Sequence, residues 1–529
     1  MIKFISIFTF VFQFFLYPSF MNSQVSMEWS KRFNSGTGNS IAIDNTGSIY
    51  IGGTEGSGSN TNFIIIKYDP SGMQKWTAIY NGPGNSYDGI DEIAIDGSCN
   101  IYATGSSTGI NTGSDFTTVK FSNSGYLQWV RRYSSNGNGR DASYSLSIDN
   151  IGNVYVTGES KNNIGGIDCL TLKYDSVGNQ LWINNFNRGL NSSNQGFDVT
   201  VDDSFNVYLT GRSDGDFMTI KYNKLGFQQW AVFYNGPMNG NDAARSIEVD
   251  NLGNVYVSGS STGDMFYYDY ATVKYNSDGE EQWVRRYNGS SNFQDQLRAM
   301  IVDSIGNVYV TGNSTESGTG YDYTTIKYNT NGDILWITRY HNGLNDIAFA
   351  MDVDDTGNVY VTGESDGNGT SDDYATVKYD SSGQQKWVKR YDYSAQFSDF
   401  ATALAVDNNG SVYVTGSSNR DILTIKYSLL TGVNPISFVT PSEYNLSQNY
   451  PNPFNPKTFI SYELRVSSFT KLIVSDVLGN EVTTLENENK PAGNYQIEFD
   501  GANYPSGVYL YRLEIDGNII DTKRMVLLK

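Results

Sequence analysis

Short runs of alternating apolar and polar residues, four to a unit, recur along the chain as far as about residue 427. In one unit the runs are Ser246–Val249, Val255–Val257, a run that ends at Tyr275 and a run that contains Trp283. Alternation with period two over so few residues predicts β-strands. Each unit therefore predicts an antiparallel sheet of four strands, named a to d in chain order.

Eight such units follow one another, and a few positions recur in nearly all of them. The turn between strands a and b reads Asp-x-x-Gly-Asn, in which the Asp is expected to cap turn amides and the Gly to take the left-handed conformation. The Asp recurs every 48 to 53 residues, as Asp44, Asp96, Asp149, Asp202, Asp250, Asp303, Asp354 and Asp407. A Lys late in strand c also recurs, as Lys67, Lys120, Lys173, Lys221, Lys274, Lys327, Lys378 and Lys426.

The tryptophans decide whether these sheets stack as an open solenoid or close into a propeller. Seven of the eight follow the repeat Lys by nine residues: Trp76, Trp129, Trp182, Trp230, Trp283, Trp336 and Trp387. The eighth, Trp29, precedes the first unit, and Pro435 stands where the last unit lacks its Trp. The segment Met27–Phe33 is therefore predicted to supply strand d of the last sheet, which closes an eight-bladed ring and removes its exposed edges.

Composition excludes several classes of partner and site. The 529-residue chain has a formal net charge of −20 and a pI near 4.5, which argues against nucleic acid or an anionic membrane as partner. One histidine, His341, and two cysteines, Cys99 and Cys169, are too few for a zinc cluster or a disulfide framework. The cysteines are expected on opposite faces of the ring and unbonded, and His341 is expected to be a polar surface residue.

The N-terminus predicts export. Lys3 precedes the apolar run Ile5–Leu16, which is followed by Pro18 and by small polar residues around Ser23. This order is typical of a secretory signal peptide, predicted here over residues 1–23, and the run is too short to span a bilayer comfortably. We therefore expect a secreted mature chain without a transmembrane segment.

The repeats resemble the bacterial secreted β-propeller repeat family, often described as seven-bladed, although eight units are counted in this sequence. The resemblance covers about residues 27–430 and implies no catalytic residue. It agrees with an all-β chain whose eight-bladed β-propeller occupies residues 24–427.

A linker rich in Gly and Pro, residues 428–444, separates the repeats from a different pattern. Over residues 445–529, alternating strands parted by Gly and Pro turns predict a small Ig-like β-sandwich. This segment closely resembles the type A C-terminal sorting domain of the type IX secretion system of Bacteroidetes, through Pro451, Pro453, Phe454, Asp476, Gly479, Glu481, Gly507, Tyr509 and Lys523. The resemblance implies recognition by that secretion machinery, then release or attachment at the outer-membrane surface. An accessory Ig-like domain without a sorting role is the alternative.

The b-to-c loops and the d-to-a connections are predicted on one face of the ring, the variable face, which carries nearly all the variation between units. An Asp precedes strand c in seven units: Asp115, Asp168, Asp216, Asp269, Asp322, Asp373 and Asp421. The d-to-a connections add Asp88, Asp141, Asp242, Asp295, Asp346 and Asp399. Such rings suit calcium or a polyhydroxylated ligand, but capping of backbone amides explains a once-per-blade Asp better. No other cofactor is expected.

Two short loops suggest a binding trough on the variable face. The spacing from the repeat Asp to the repeat Lys is 19 residues in the fourth and eighth units and 23 or 24 in the others, and these two units are diametrically opposed in an eight-membered ring. We hypothesise a shallow trough for an elongated glycan, lined by Arg212, Asp214, Asp216, Arg420 and Asp421, with Phe266, Tyr267 and Tyr268 as stacking surface. Random shortening of loops accounts for the same spacing and is the simpler explanation.

Two classes of function remain open. The propeller is either a monomeric, non-catalytic module for adhesion, structure or the capture of a glycan or protein, or an extracellular polysaccharide hydrolase or lyase. The enzyme would use a carboxylate pair near the axis of the ring, with its site on the variable face. The enzyme needs an acid that one blade alone carries, and Glu55, Glu159 and Glu364 stand at exceptional positions without an evident basic or aromatic partner. The binding module is therefore favoured.

Overall fold

The computed structural model describes residues 25–135, 139–367, 371–394, 396–429, 444–466, 468–490 and 493–529. They form two compact units, one over Met27–Ser428 and one that includes Leu429–Lys529. Within these residues no helix is long and apolar enough to cross a membrane. The expected signal peptide and most of the expected linker lie outside the described residues, so the boundaries of the domains stay predictions.

Strands make up nearly all of the larger unit. The first half comprises β1 (Val25–Phe33), β2 (Gly36–Ile43), β3 (Ile49–Ser57), β4 (Asn60–Tyr68), β5 (Gln74–Tyr80), β6 (Asp88–Ile95), β7 (Ile101–Gly109), β8 (Gly113–Phe121), β9 (Leu127–Tyr133), β10 (Asp141–Ile148), β11 (Val154–Lys161), β12 (Ile167–Tyr174), β13 (Gln180–Phe186), β14 (Asn194–Val201), β15 (Val207–Ser213), β16 (Asp216–Tyr222) and β17 (Gln228–Tyr234). The second half comprises β18 (Asp242–Val249), β19 (Val255–Thr262), a 3-10 turn (Asp264–Phe266), β20 (Tyr268–Tyr275), β21 (Glu281–Tyr287), β22 (Asp295–Val302), β23 (Val308–Glu316), β24 (Gly320–Tyr328), β25 (Ile334–Tyr340), β26 (Asp346–Val353), β27 (Val359–Ser365), β28 (Asp373–Tyr379), β29 (Gln385–Tyr391), β30 (Asp399–Val406), β31 (Val412–Ser418) and β32 (Asp421–Leu429).

The described strands of this unit form eight four-stranded sheets. From β2 to β29, successive groups of four make seven antiparallel blades, each a meander of strands a to d. The eighth sheet has the order β1-β32-β31-β30, so its fourth strand comes from the N-terminus. The first strands of neighbouring blades contact one another all the way round, including β30 with β2. The predicted eight-bladed propeller closed by its N-terminal strand is confirmed.

The residues that recur in every unit build the blades and fasten them together. Asp44 Oδ1 accepts hydrogen bonds from the amides of Thr46 and Ser48 at 2.9 Å, and Asp44 Oδ2 accepts one from the Tyr50 hydroxyl at 2.9 Å. The ammonium group of Lys67 lies 4.7 Å from the centre of the Tyr50 ring. Trp76 Nε1 donates to a main-chain carbonyl of the next blade at 2.9 Å. Because these contacts recur round the ring, the repeat pattern serves the fold.

The C-terminal unit is a β-sandwich. Its strands are β33 (Asn445–Leu446), β34 (Lys457–Leu464), β35 (Ser468–Ser475), β36 (Glu481–Lys490), β37 (Gly493–Asp500), β38 (Gly507–Ile515) and β39 (Asn518–Leu527). A three-stranded sheet, β33-β34-β37, and a four-stranded sheet, β36-β35-β38-β39, enclose one apolar core that includes Phe454, Tyr462 and Leu513. The Phe454 amide donates to the Val526 carbonyl at 2.9 Å, which ties the segment before β34 to β39.

Candidate ligand-binding site

Each first strand carries a β-bulge at its fourth residue, where the pairing with the second strand skips one position. A bulge re-aims the side chain of its extra residue, and here several of these side chains meet at the axis of the ring. The eight bulge residues are Asn39, Asp91, Tyr144, Phe197, Arg245, Arg298, Phe349 and Thr402. Unlike the residues of the turns and of strand b, they differ widely in chemistry from blade to blade.

Five bulge residues, from blades four to eight, line a cavity of about 310 Å³, here named the channel cavity: Phe197, Arg245, Arg298, Phe349 and Thr402. Residues from opposite blades line one cavity only when it lies on the axis. The bulge is the fourth of eight residues counted from the variable face, so the cavity belongs to the half of the channel nearer that face. Its volume is at the lower end of the range for small-ligand sites.

Two cations stand side by side in the channel cavity. The Arg245 guanidinium lies over the Phe197 ring, 4.7 Å from its centre, and the Arg298 guanidinium lies 5.7 Å from the centre of the Phe349 ring. Burial lowers the pKa of Arg245, as do the neighbouring cations Arg298 and Arg212. Burial also lowers the pKa of Arg298. None of the five residues that line the channel cavity was predicted from the sequence.

Buried carboxylates also occur on first strands, in blades two and four. Burial raises the pKa of Asp91, the bulge residue of blade two, to about 7. Glu92 accepts a hydrogen bond from the Leu146 amide of the next blade at 2.7 Å, and burial raises its pKa to about 8. Asp198 likewise accepts from the Ile247 amide at 2.9 Å, and burial raises its pKa to about 6. Among the eight bulge residues, the acid is therefore Asp91 of blade two, and the cations are Arg245 and Arg298 of blades five and six.

The three glutamates considered for catalysis lie in different blades. Glu55 accepts a hydrogen bond from Asn62 Nδ2 at 2.9 Å, and Arg140 Nε lies 3.0 Å from Glu159 Oε1. Burial and the neighbouring Asp372 raise the pKa of Glu364 to about 7. The structure therefore assigns Glu159 a salt-bridge partner that the sequence did not indicate.

The short b-to-c loops of the predicted trough are two-residue turns. Asp214 Oδ1 accepts a hydrogen bond from the Ser193 amide at 2.9 Å, and Asp216 lies 2.5 Å from Arg188 Nη1. In blade eight, Arg420 is exposed, with a φ of 66°, and Asp421 lies 3.1 Å from Arg32 Nη1. The trough carboxylates are thus held in contacts within the ring.

Other predicted trough residues lie in two places. Arg212 Nη2 donates to Gln195 Oε1 at 2.8 Å, and Arg212 is near enough to Arg245 to influence its pKa. In blade five, Phe266 is 71% exposed, and Tyr267 packs on Phe293 with ring centres 5.1 Å apart. Tyr268 begins β20 beside them. The structure therefore brings Arg212 to the channel and leaves the aromatic group on the loop, and the trough stays a prediction.

The two rings of aspartates on the variable face have different roles. Asp88 Oδ2 accepts a hydrogen bond from the Gly82 amide at 2.6 Å and Asp88 Oδ1 one from the Thr108 amide at 3.1 Å, as expected of a capping residue. Several aspartates before strand c form salt bridges, as Asp115 does with Arg132 Nη2 at 2.7 Å, whereas Asp421 also caps the Ser35 amide at 3.0 Å. The same distance separates Asp269 from Arg286 and Asp373 from Arg390. Amide capping is therefore wrong for these three aspartates, because an arginine at the end of strand d reaches each carboxylate.

Blade six replaces this pairing with a histidine. His341 Nδ1 lies 3.0 Å from Asp322 Oδ1 and 3.7 Å from Asp346 Oδ2, and 41% of its side chain is exposed. These three groups have ligand atoms within 4.8 Å of one another, so they are the described residues best placed to hold a metal ion. Asn342 and Ser365 also donate to Asp346, so the cluster is hydrogen-bonded by the protein itself.

The cysteines agree with expectation. Cys99 and Cys169 are both free, and Cys169 is buried in the third blade. Burial raises the pKa of the Cys169 thiol to about 12, which makes it a poor nucleophile.

The sorting-domain positions divide between turns and core. Asp476 Oδ1 accepts hydrogen bonds from the Leu478 and Asn480 amides at 2.8 and 2.9 Å, and Gly479 closes this turn with a φ of 88°. The Tyr509 hydroxyl donates to the Pro505 carbonyl at 2.7 Å. Phe454 is 2% exposed. Glu481 and Gly507 are the first residues of β36 and β38, and both are exposed. Lys523 Nζ lies 2.9 Å from Asp521 Oδ2. The prolines Pro451 and Pro453 precede β34 on the exposed surface.

Two family models match parts of the chain. The model described as "Secretion system C-terminal sorting domain" matches residues 448–527, and the model described as "Beta-propeller repeat" matches residues 392–423. Both matches confirm the resemblances drawn from the motifs.

Relatives and solved structures agree on the propeller. An uncharacterized WD repeat-containing protein of Acanthamoeba polyphaga mimivirus is 25% identical over 418 residues, which are 69% of this chain. The chain spans about a quarter of that relative, 26% of its length. The crystal structure of Sqt1 from Chaetomium thermophilum matches with a TM-score of 0.51 and 10% identity, over 75% of this chain and 98% of Sqt1.

A second solved structure is that of PorZ, described as an essential bacterial surface component of the type IX secretion system of Porphyromonas gingivalis. The match covers 92% of this chain and 74% of the PorZ chain, with 12% identity and a TM-score of 0.41. Residues 448–527 therefore form a type IX secretion system C-terminal sorting domain, which marks the chain for secretion to the cell surface, and residues 392–423 match a β-propeller repeat.

Proposed function

We propose that the chain is a non-catalytic binding module of the cell surface, which takes an extracellular glycan at the variable face of its propeller. The observation that carries the proposal is the channel cavity, where five bulge residues that differ from blade to blade line one space on the axis. Residues that serve the fold recur in the ring, whereas these do not. Such variation is expected where side chains contact a ligand.

The position of the cavity agrees with the predicted trough. The short loops of blades four and eight, at Asp214 and Arg420, lie on opposite sides of the ring, so a path between them crosses the axis. A glycan that follows this path lies over the channel cavity. Phe349 and Phe197 then offer partly exposed aromatic rings on which a sugar ring stacks.

A glycan-array measurement on the full mature chain, with and without calcium, tests this function. We expect specific binding to a small set of glycans. Phe349→Ala removes one aromatic ring of the channel cavity and is expected to weaken binding by about tenfold, a loss of roughly 1.5 kcal/mol.

Phe266→Ala is the matched control, because it removes an equally large ring from the same face outside the cavity. Because the proposed site is the channel cavity and does not include the predicted stacking surface at Phe266, we expect this variant to leave binding unchanged. Weaker binding in Phe266→Ala together with full binding in Phe349→Ala places the site on the loop of blade five and contradicts a site in the channel. A blank array in both calcium conditions contradicts the glycan-binding function itself.

A further inference from the structure

The channel cavity holds two neighbouring cations that the ring does not neutralise. Arg245 and Arg298 occupy the same bulge position in blades five and six, so consecutive blades place them side by side. Within the described part of the chain, neither guanidinium forms a salt bridge. The arginines at the ends of several fourth strands behave differently, as Arg132 and Arg286 each meet a carboxylate at 2.7 Å.

Apart from Glu364, the neighbours of the two cations are aromatic, neutral or positively charged. Each guanidinium lies over a phenylalanine ring, and Arg298 Nη2 donates to Gln296 Oε1 at 3.0 Å. Arg212 adds a third positive charge near Arg245. Glu364 is the acid that interacts with Arg298, from beyond salt-bridge distance, and burial raises the pKa of Glu364 to about 7. Glu364 therefore offsets only part of the positive charge.

Like charges held side by side on the wall of the channel disfavour each other, and a bound anion removes this repulsion. Arginine is the residue best suited to the task, since its planar guanidinium meets the two oxygens of a carboxylate with two parallel hydrogen bonds. The stacking of each guanidinium on a phenylalanine fixes its plane and lowers the entropy lost on binding. The chain has a net charge of −20, so a local cationic pair in its channel is a departure from the general surface.

We propose that the channel cavity binds an acidic polysaccharide, with the carboxylate of a uronate residue between Arg245 and Arg298. This assignment rests on the proposed function and names the ligand class of the same site. A polysaccharide fits better than a small free anion because the two short loops leave a path across the ring for a chain that enters on one side and leaves on the other.

Titration calorimetry of the full mature chain with tetragalacturonate tests the proposal. Cellotetraose is the neutral comparison and tetra-aspartate the acidic peptide comparison. We expect tetragalacturonate to bind, with an affinity that falls as salt is added, and cellotetraose to show no binding. Arg245→Gln and Arg298→Gln are each expected to weaken tetragalacturonate binding by at least about tenfold.

Two further variants separate charge from folding. Lys224→Gln removes an exposed positive charge from the turn between β16 and β17, on the other face of the ring, and is expected to bind as the wild type does. Arg245→Lys keeps the charge but lacks the planar fork, so its affinity is expected to lie between the wild type and Arg245→Gln. Melting temperatures of all variants within a few degrees of the wild type show that the ring is intact.

The remaining outcomes overturn the proposal. Equal binding of cellotetraose and tetragalacturonate, or unchanged tetragalacturonate binding in both glutamine variants, shows that the two arginines do not recognise a carboxylate. Binding of tetra-aspartate alone assigns the cavity to an acidic peptide, and binding of none of the probes leaves no anion site. Array binding of neutral glycans that depends on Phe349 preserves the proposed function while the anion assignment fails.

Discussion

Closure of the ring depends on one strand that is joined to its blade by non-covalent contacts alone, and Trp29 in β1 is the residue to remove. Trp29 is 8% exposed, its ring centre lies 6.0 Å from those of Tyr68 and Tyr413, and its Nε1 donates to the Pro70 carbonyl of blade one at 3.2 Å. Truncation of a buried tryptophan to alanine costs about 4 kcal/mol, and the lost hydrogen bond adds about 1 kcal/mol. The total is a large part of the 5–15 kcal/mol of a typical domain.

Trp129 provides a closely matched control in blade two. It is also 8% exposed, lies 6.0 Å from Tyr102 and Tyr174, and donates to the Ser176 carbonyl of the next blade at 3.3 Å. Trp129→Ala therefore removes the same contacts from a strand that the chain holds in place on both sides. We expect both variants to lose about 5 kcal/mol of packing and hydrogen bonding, but at different places.

Hydrogen exchange followed by mass spectrometry distinguishes the two variants. In Trp29→Ala the amides of β1 and β32 are expected to exchange about 10³-fold faster, since each 1.4 kcal/mol of easier local opening is tenfold. In Trp129→Ala these strands are expected to exchange at a rate close to that of the wild type. Equal protection of β1 and β32 in the two variants refutes the conclusion that the contact between these strands opens locally and more easily than the rest of the ring.

Three further measurements test the interior of the molecule. Arg132→Gln leaves the buried Asp115 without its cation and is expected to lower the free energy of unfolding by about 3 kcal/mol. Adding Asp115→Asn is expected to recover part of this loss. Equal losses in the single and double variants contradict a stabilising Asp115–Arg132 pair. Burial raises the pKa of Glu92 to about 8, so the folded chain keeps a proton that the unfolded chain releases above pH about 4.3. The urea concentration at the midpoint of unfolding is therefore expected to decrease as the pH is raised from 5.5 to 8, and to decrease less in Glu92→Gln. A midpoint that increases over this range counts against the burial of this group. Alkylation without reductant is expected to modify Cys99 in the folded chain and both cysteines after unfolding, whereas an intact mass with a Cys99–Cys169 bond disproves the assignment of two free thiols.

Most of the ring is readable from the sequence, because its repeating contacts are local. The Asp of each a-to-b turn accepts bonds from amides two and four residues on, and the Trp and Lys of each blade keep a fixed spacing. Closure is also readable, since Trp29 is displaced from the spacing that the other seven tryptophans keep. Both features depend on distance along the chain, which the sequence records directly.

The channel residues were missed because a bulge breaks the alternation on which the strand prediction depends. Arg245 and Arg298 lie inside strands, so a pattern of period two assigns them to a blade face and not to the axis. A signal was present: the residue five positions before each repeat Asp changes its chemistry in nearly every unit. The Asp115–Arg132 pair was missed for another reason, since its members lie 17 residues apart on different strands.

The bulge has a consequence for how such a protein changes its ligand. A bulge residue takes no part in the pairing of strand a with strand b, so replacing its side chain leaves the ladder of the blade as it was. The ring thus presents eight equivalent backbone positions whose side chains differ without a change in strand pairing, and two of them, Asn39 and Thr402, also donate hydrogen bonds to carbonyls of neighbouring blades. A gene that duplicates and diverges at these eight codons obtains a new recognition surface without rebuilding the scaffold, and a designer has the same eight positions to randomise.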